Sequence, residues 1–472
     1  ITLDYREKAP SAASRDMYLD SAGNPVMQLS QYGHLSAGVP GTVAGLFASM
    51  KYATLPFQQL VQPAIDLAER GFALTVEEAA SLNHTQVEFR QYNASKIAFI
   101  KQSGWKAGDT LVQTDLAETL KRIRDKGQKG FYEGETARLI VAEMKKANGI
   151  ISLDDLKNYE AKERQPVEFN YKGYTVVSMP LPSSGGIIVQ QCLKMIELRD
   201  IGKTGFHSTQ AVQLMTEVER RAYADRAEFM GDEDFVKVPV KTLTGEAYLK
   251  ERMADYTPDK AGSSEQVQAG KLPSESEETT HLSIADKWGN MVAVTTTLNG
   301  SYGSKTVVSG AGFLLNNEMD DFSVKPGVPN MYGALGTEAN AIAPGKRMLS
   351  SMTPTLVLKA GEPFLVVGTP GGTTIPTSVF QTLVNIIDFG LSPDDAVNKS
   401  KFHHQWMPDE LFVEKDFPVP VTDSLKAMGY TISTRGNIGR TELIKIEKSK
   451  TGRGYTFEAV ADNRGDDSAE GY

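Results

Sequence analysis

Along the chain, apolar positions fall at helical spacing in the first half and at alternating spacing in the second. Asp115-x-x-Glu118, with Leu116, Leu120 and Ile123 following at helical intervals, predicts a helix opening there. Ser152-x-x-Asp155 ahead of Leu156 and Tyr159 predicts another. After Ser208, the positions of Val212, Met215, Val218 and Ala222 share one side, which predicts a long amphipathic helix. Within this mostly helical stretch, 38–260, residues 166–179 read as a strand pair around Lys172-Gly173, and residues 1–10 read as a strand entering a loop. Three hairpins are expected further on. They are 281–297 around Asp286-Lys287-Trp288-Gly289-Asn290, 355–368 around Ala360-Gly361-Glu362, and 443–460 around residues 450–454. A helix is expected from Ser392 and Asp395.

Between the two textures, residues 260–278 (KAGSSEQVQAGKLPSESEE) hold almost nothing to bury and read as an exposed connection. Helices first, then strands with helices between them, predict an α+β layered fold. Composition adds limits. The 472 residues are 40% hydrophobic and 23% charged, and can bury a large core without disulfides. The net charge of −9 argues against nucleic acid or an anionic membrane as the main partner. No apolar run approaches a membrane span. The first residue is Ile1, not Met, so an upstream segment and any targeting signal are expected to lie outside this sequence.

Several groups look chemical and are better read otherwise. The histidines (34, 84, 207, 281, 403, 404) match no metal-ligand spacing, so no metal is expected. Gly368–Gly372 lacks the lysine of a phosphate loop, and Pro182–Gly186 is not a nucleophile elbow. The single cysteine, Cys192, lies in an apolar run and reads as core. One junction is more informative. At 278/279 an acidic linker meets a strand beginning Thr279-Thr280-His281. A hydroxyl there can attack the preceding carbonyl and cut the chain, leaving an amine that serves as base for its own side chain.

Downstream motifs give that junction its context: TTHLSIADKWGNMVAVTTTLN (279–299), GFLLNNEMDDFS (312–323), KPGVPNMYG (325–333), RMLSSMTPT (347–355), GTPGG (368–372) and FHHQWMPDEL (402–411). REKAP (6–10), GVPGTVAG (38–45), PLPSSGGI (180–187) and YADRAEFMGD (223–232) continue them upstream. With these, the sequence resembles the γ-glutamyltranspeptidase family of N-terminal-nucleophile hydrolases through essentially its whole length. The resemblance implies a four-layer α/β/β/α sandwich built jointly by two subunits of one precursor. Residues 1–278 would be a large subunit lacking its N-terminal, glycine-rich region, and 279–472 the small catalytic subunit.

The roles that follow are implied by the resemblance. Thr279 is the nucleophile and new N-terminus, supported by the Thr297 hydroxyl. Gly371 and Gly372 supply the oxyanion-hole amides. Arg6 with Ser350 and Ser351 clamps the donor's α-carboxylate, a fit for a guanidinium fork. Asn299, Glu318 and Asp321 hold its α-ammonium, and the two carboxylates should repel when no cation lies between them. Residues 326–337 form a lid whose Tyr332 closes over the donor by bonding Asn299. Taken alone, Arg6 reads as a surface ion pair and Asp320-Asp321 as turn chemistry or a cap.

The implied activity is cleavage of the γ-glutamyl amide of glutathione or glutamine through a γ-glutamyl-threonine ester, then transfer to water, an amino acid or a peptide. No cofactor is implied. The periplasm is the implied location. Two rival readings are a cephalosporin or glutaryl acylase of the same fold, and a noncatalytic binding protein. Glu318 and Asp321 disfavour the acylase, whose donor lacks the ammonium.

Overall fold

A computed structural model of the chain describes residues 1–267, 279–449 and 454–472. Its centre is a six-stranded antiparallel sheet. In chain order the strands are β1 (Val167–Tyr171), β2 (Tyr174–Ser178), then β5 (Thr355–Lys359), β6 (Glu362–Gly368), β7 (Glu442–Lys448) and β8 (Tyr455–Val460). Between these groups, β3 (Thr280–Ala285) and β4 (Met291–Thr296) form a separate hairpin. The sheet order is β8-β7-β6-β5-β2-β1, so β2, from before residue 279, pairs with β5, from after it.

The expected turns form for visible reasons. Lys172-Gly173 and Ala360-Gly361 both take positive φ at two successive residues (48° and 84°, 51° and 81°), the backbone a two-residue hairpin needs. In the β3–β4 turn, the Asp286 carboxylate accepts the N–H groups of Trp288 and Asn290, both at 2.9 Å, and Gly289 supplies φ 87°. The 450–454 turn lies mostly outside the described residues.

Helices α1 (Gly185–Glu197) and α3 (Thr374–Ile387) pack on one face of the sheet and α2 (Thr209–Phe229) packs against α1, through a core that includes Ile188, Cys192, Val218, Leu365, Val367 and Phe380. The hairpin lies across the other face. There Gly368 permits close approach, since a Cβ on it would sit 2.1 Å from the His281 ring. Leu282, Ile284 and Val292 point away from the sheet and are exposed.

Ser152 and Asp155 make the full capping box, and the Ser208 hydroxyl caps α2. The helix expected to open at Asp115 runs Thr114–Lys126 and makes no side-chain cap. The amphipathic expectation for α2 is corrected, because the helix is buried on all sides from Ala211 to Ala227. Much of its polar side is paired inside the protein. Arg221 pairs with Glu217 at 2.6 Å, Arg252 with Asp225 at 3.1 Å, and Glu219 accepts the His404 N–H at 2.9 Å. The stretch from 260 is not exposed throughout either. Ser264 and Val267 are buried, with the Ser264 N–H donating to Asp409 at 2.7 Å. Residues 268–278 lie outside the described residues.

Candidate active site

Separate parts of the chain converge on one pocket, which holds about 330 Å³ of atom-free space, part of it open to solvent. Thr279 enters at the head of β3, and Thr297 and Asn299 follow β4. Gly372 comes from the turn between β6 and α3, and Ser350 and Ser351 from the segment before β5. Arg6, Asp321 and Tyr332 complete the set of expected residues on its wall. Of the other two, Gly371 adjoins Gly372, and Glu318 is fully buried against the Arg6 guanidinium.

Antiparallel pairing fixes the nucleophile end. Thr280 faces Thr296 and His281 faces Thr295, so Thr279 and Thr297 emerge side by side from the two strands. The Thr297 Oγ1 accepts the Asn299 N–H at 2.8 Å. Asn299 has φ 77°, and its Nδ2 donates to the Asn317 carbonyl at 3.0 Å. At the oxyanion end, Gly371 and Gly372 take φ 135° and 52° before α3 begins. Their carbonyls accept from Thr374 (2.9 Å) and Ile375 (3.3 Å), but among the described residues neither glycine N–H has an acceptor. Two such donors near the Thr279 hydroxyl are groups of the kind that hold a developing oxyanion.

The charged end differs from expectation. The resemblance separates a carboxylate clamp (Arg6, Ser350, Ser351) from an ammonium site (Glu318, Asp321). In the structure Arg6 pairs with both Glu318 and Asp321. The repulsion expected between the two acids is therefore relieved from within. Burial alone would lower the Arg6 guanidinium, but Glu318 and Asp321 outweigh it and hold it above its ordinary value. Burial pushes both carboxyls up, with Arg6 opposing. Glu318 Oε1 is buried without a hydrogen-bond donor among the described residues, an acceptor open to a ligand's N–H.

The loop expected to act as a lid is fastened at several points. The Tyr332 hydroxyl donates to Asn299, at its main-chain carbonyl, and the ring is buried against Gly372. Asn330, missed in the sequence, organises the loop. Its Oδ1 accepts from Tyr332 N (2.9 Å) and Ala334 N (3.0 Å), and its Nδ2 donates to Asp321 (2.9 Å). Asp320, read as turn chemistry, accepts the Met331 N–H at 2.8 Å and the Ser30 hydroxyl. Burial pushes its carboxyl up to about 7. Arg226 was also missed, although its motif was noted. It reaches the pocket from the last turn of α2, with Nε 3.1 Å from Ser184 Oγ and Nη2 3.3 Å from Ser351 Oγ.

The chain is similar to known proteins. The glutathione hydrolase proenzyme of Escherichia coli (strain K12) is 48% identical over 448 residues, covering 94% of this chain and 77% of that protein. The crystal structure of Helicobacter pylori γ-glutamyltranspeptidase is 45% identical and matches with a TM-score of 0.55, over 56% of this chain and 77% of that one. A cephalosporin acylase from Bacillus halodurans matches with a TM-score of 0.84 over 100% of this chain and 85% of that chain. At 24% identity it speaks for the fold alone. A sequence model of the γ-glutamyltranspeptidase family matches residues 1–472, and the chain belongs to that family.

Proposed function

We propose that the protein is a γ-glutamyl hydrolase and transferase that acts on glutathione and matures by cutting itself between Glu278 and Thr279. One observation carries the reading. Thr279 shares a pocket with Gly372, whose N–H, like that of the adjoining Gly371, has no acceptor among the described residues, and with a buried guanidinium–carboxylate cluster. A γ-glutamyl donor has a carbonyl to be attacked and, at its other end, an ammonium and a carboxylate that need buried partners. The pocket offers groups of each kind.

The cut releases the amine of Thr279 beside its own hydroxyl. That amine takes the hydroxyl proton as Oγ attacks the γ-carbonyl of glutathione or glutamine. The tetrahedral oxyanion lies on the N–H groups of Gly371 and Gly372, where one lost donor costs about 3 kcal/mol. Collapse expels the first product, which takes the proton from the amine. Water, an amino acid or a peptide then attacks the ester, and the amine serves again as base. Thr297 supports the nucleophile, while Asn299, Glu318 and Asp321 receive the ammonium. Ser350 and Ser351 face the carboxylate, and Tyr332 on its lid keeps bulk water from the ester. Residues 1–278 and 279–472 then become two subunits. Resemblance to Gram-negative members supports a periplasmic location, which cell fractionation tests.

Thr279→Ala should remain one uncut chain by intact mass and release no product from γ-glutamyl-p-nitroanilide. A cut or active variant would remove Thr279 from the role. The wild type, quenched during turnover, should carry a γ-glutamyl adduct on the peptide beginning at Thr279. Faster turnover of a glutaryl anilide than of the γ-glutamyl anilide would favour the acylase reading instead.

A further inference from the structure

Helix α3 opens after an N-cap threonine, Thr373, yet among the described residues its hydroxyl caps no amide of the helix. It donates instead to Gln405 Oε1 at 2.6 Å. Thr373 directly follows Gly372, and both line the pocket. The same Oε1 lies 2.9 Å from His403 Nε2, while Gln405 Nε2 donates to the main-chain carbonyls of Tyr332 (3.3 Å) and Met407 (3.2 Å). One buried side chain thus touches the oxyanion turn with its oxygen and the loop 326–337 with its nitrogen.

The chemistry of its partners fixes how this amide points. Carbonyls only accept, so the nitrogen must face Tyr332 and Met407, and the oxygen must face Thr373 and His403. His403 Nε2 then carries the ring proton, and Nδ1 accepts from the Thr377 hydroxyl of α3, 2.8 Å away. Burial lowers this imidazole well below its ordinary value and keeps it neutral. Both protons and both lone pairs of the amide are used, and turning it over would set its oxygen against two carbonyl oxygens.

The turn and the loop meet elsewhere as well. The Tyr223 hydroxyl of α2 donates to the Thr373 carbonyl, and the Tyr332 ring lies against Gly372. A loop that lifted would carry the Tyr332 carbonyl off Gln405 and strip a buried N–H of one partner. The amide that fixes the Thr373 hydroxyl would loosen with it.

We propose that Gln405 is a positioning residue that couples the two: it holds the Gly371–Gly372 turn in place for the oxyanion while the loop lies closed over the pocket. The assignment rests on the γ-glutamyl reading. It adds to that reading how exclusion of water and stabilisation of the oxyanion stay in step.

Gln405→Met keeps the length of the side chain and removes its polar atoms. Its kcat on γ-glutamyl-p-nitroanilide should fall about 30-fold to 100-fold, the scale of a small misplacement of a reacting group. KM should stay within about threefold of wild type. Acylation and deacylation both pass through an oxyanion, so kcat falls whichever step limits. Amide exchange across 326–337 should quicken about tenfold by hydrogen-exchange mass spectrometry. Thr373→Val removes the same bond from the other side. It should lower kcat on the same scale while the loop exchanges as in wild type, and the double variant should be no slower than Gln405→Met alone. An unchanged kcat in Gln405→Met, a raised KM with kcat intact, or losses that multiply in the double variant overturns the assignment. Should Gln405→Met fail to mature, Thr373→Val decides: a lowered kcat at wild-type KM upholds the assignment, and a wild-type kcat overturns it. A wild type that cleaves no γ-glutamyl anilide and forms no Thr279 adduct would instead overturn the parent reading, and this assignment with it.

Discussion

At the scale of single residues, Gly372 carries two constraints at once. Its φ of 52° disfavours any side chain, and a Cβ there would lie 2.7 Å from the Tyr332 ring. Gly372→Ala should therefore move either the lid or the amide, and kcat should fall about 100-fold, the usual effect of one lost oxyanion donor. Activity near wild type in that variant would place the oxyanion elsewhere. Asp320 offers a pH signature. Its folded carboxyl, pushed to about 7 by burial, lies above the ordinary value of 3.8. The unfolded chain thus ionises first, and Asp320 costs stability progressively as pH rises from about 4 to 7. Asp320→Asn lacks that cost. Its stability relative to wild type should rise across the same window, by roughly 4 kcal/mol at most, in urea melts taken at several pH values. A pH-independent difference would mean that Asp320 is already ionised. Sequence pattern alone read Asp320 as a turn residue because the Met331 amide and the Ser30 hydroxyl that meet it come from other segments. Arg226 escaped notice for the same reason, since its meeting with Ser184 and Ser351 is a fact of tertiary structure.

At the scale of elements, what was legible followed local chemistry. Lys172-Gly173 and the Asp286 turn were readable because a glycine or an aspartate sets the bend by itself. The capping box at Ser152 was readable for the same reason, whereas the full burial of α2 was not. An apolar stripe tells which side faces a core, but Glu217, Glu219 and Asp225 are buried only because Tyr430, His404 and Arg252 come from elsewhere to meet them. The lid lies between these cases. Its prolines and glycines marked a bent loop, while its fastening through Asn330 required the fold. Asn330→Ala removes two acceptor contacts and one donor contact, each worth about 1 kcal/mol net. Amide exchange at Tyr332 and Ala334 should accelerate at least about tenfold by hydrogen-exchange mass spectrometry. Unaltered exchange would show that the Tyr332–Asn299 bond alone keeps the loop shut.

At the scale of the molecule, the proposed cut falls in a chain whose two parts share one sheet. Five residue pairs from Tyr174↔Lys359 to Ser178↔Thr355 join β2 to β5 across the division. Asn316 adds a two-way bond with the Gly38 backbone, 2.9 Å in each direction. The cut chains should co-migrate as one species in gel filtration and separate only in denaturant; separation under native conditions would contradict the shared core. The proposed division is legible in the sequence through motif order and the 278/279 junction. Which strand crosses it is not, because β-pairing between distant segments leaves no local mark. The β2–β5 ladder has a consequence for mixtures of molecules. Exchanging halves would require unzipping a central pair of strands and opening the core on both sides. Two matured variants, one defective at Arg6 and the other at Thr297, should therefore stay inactive when mixed, yet regain activity if unfolded and refolded together. Each molecule keeps for life the partner chain from which it was severed.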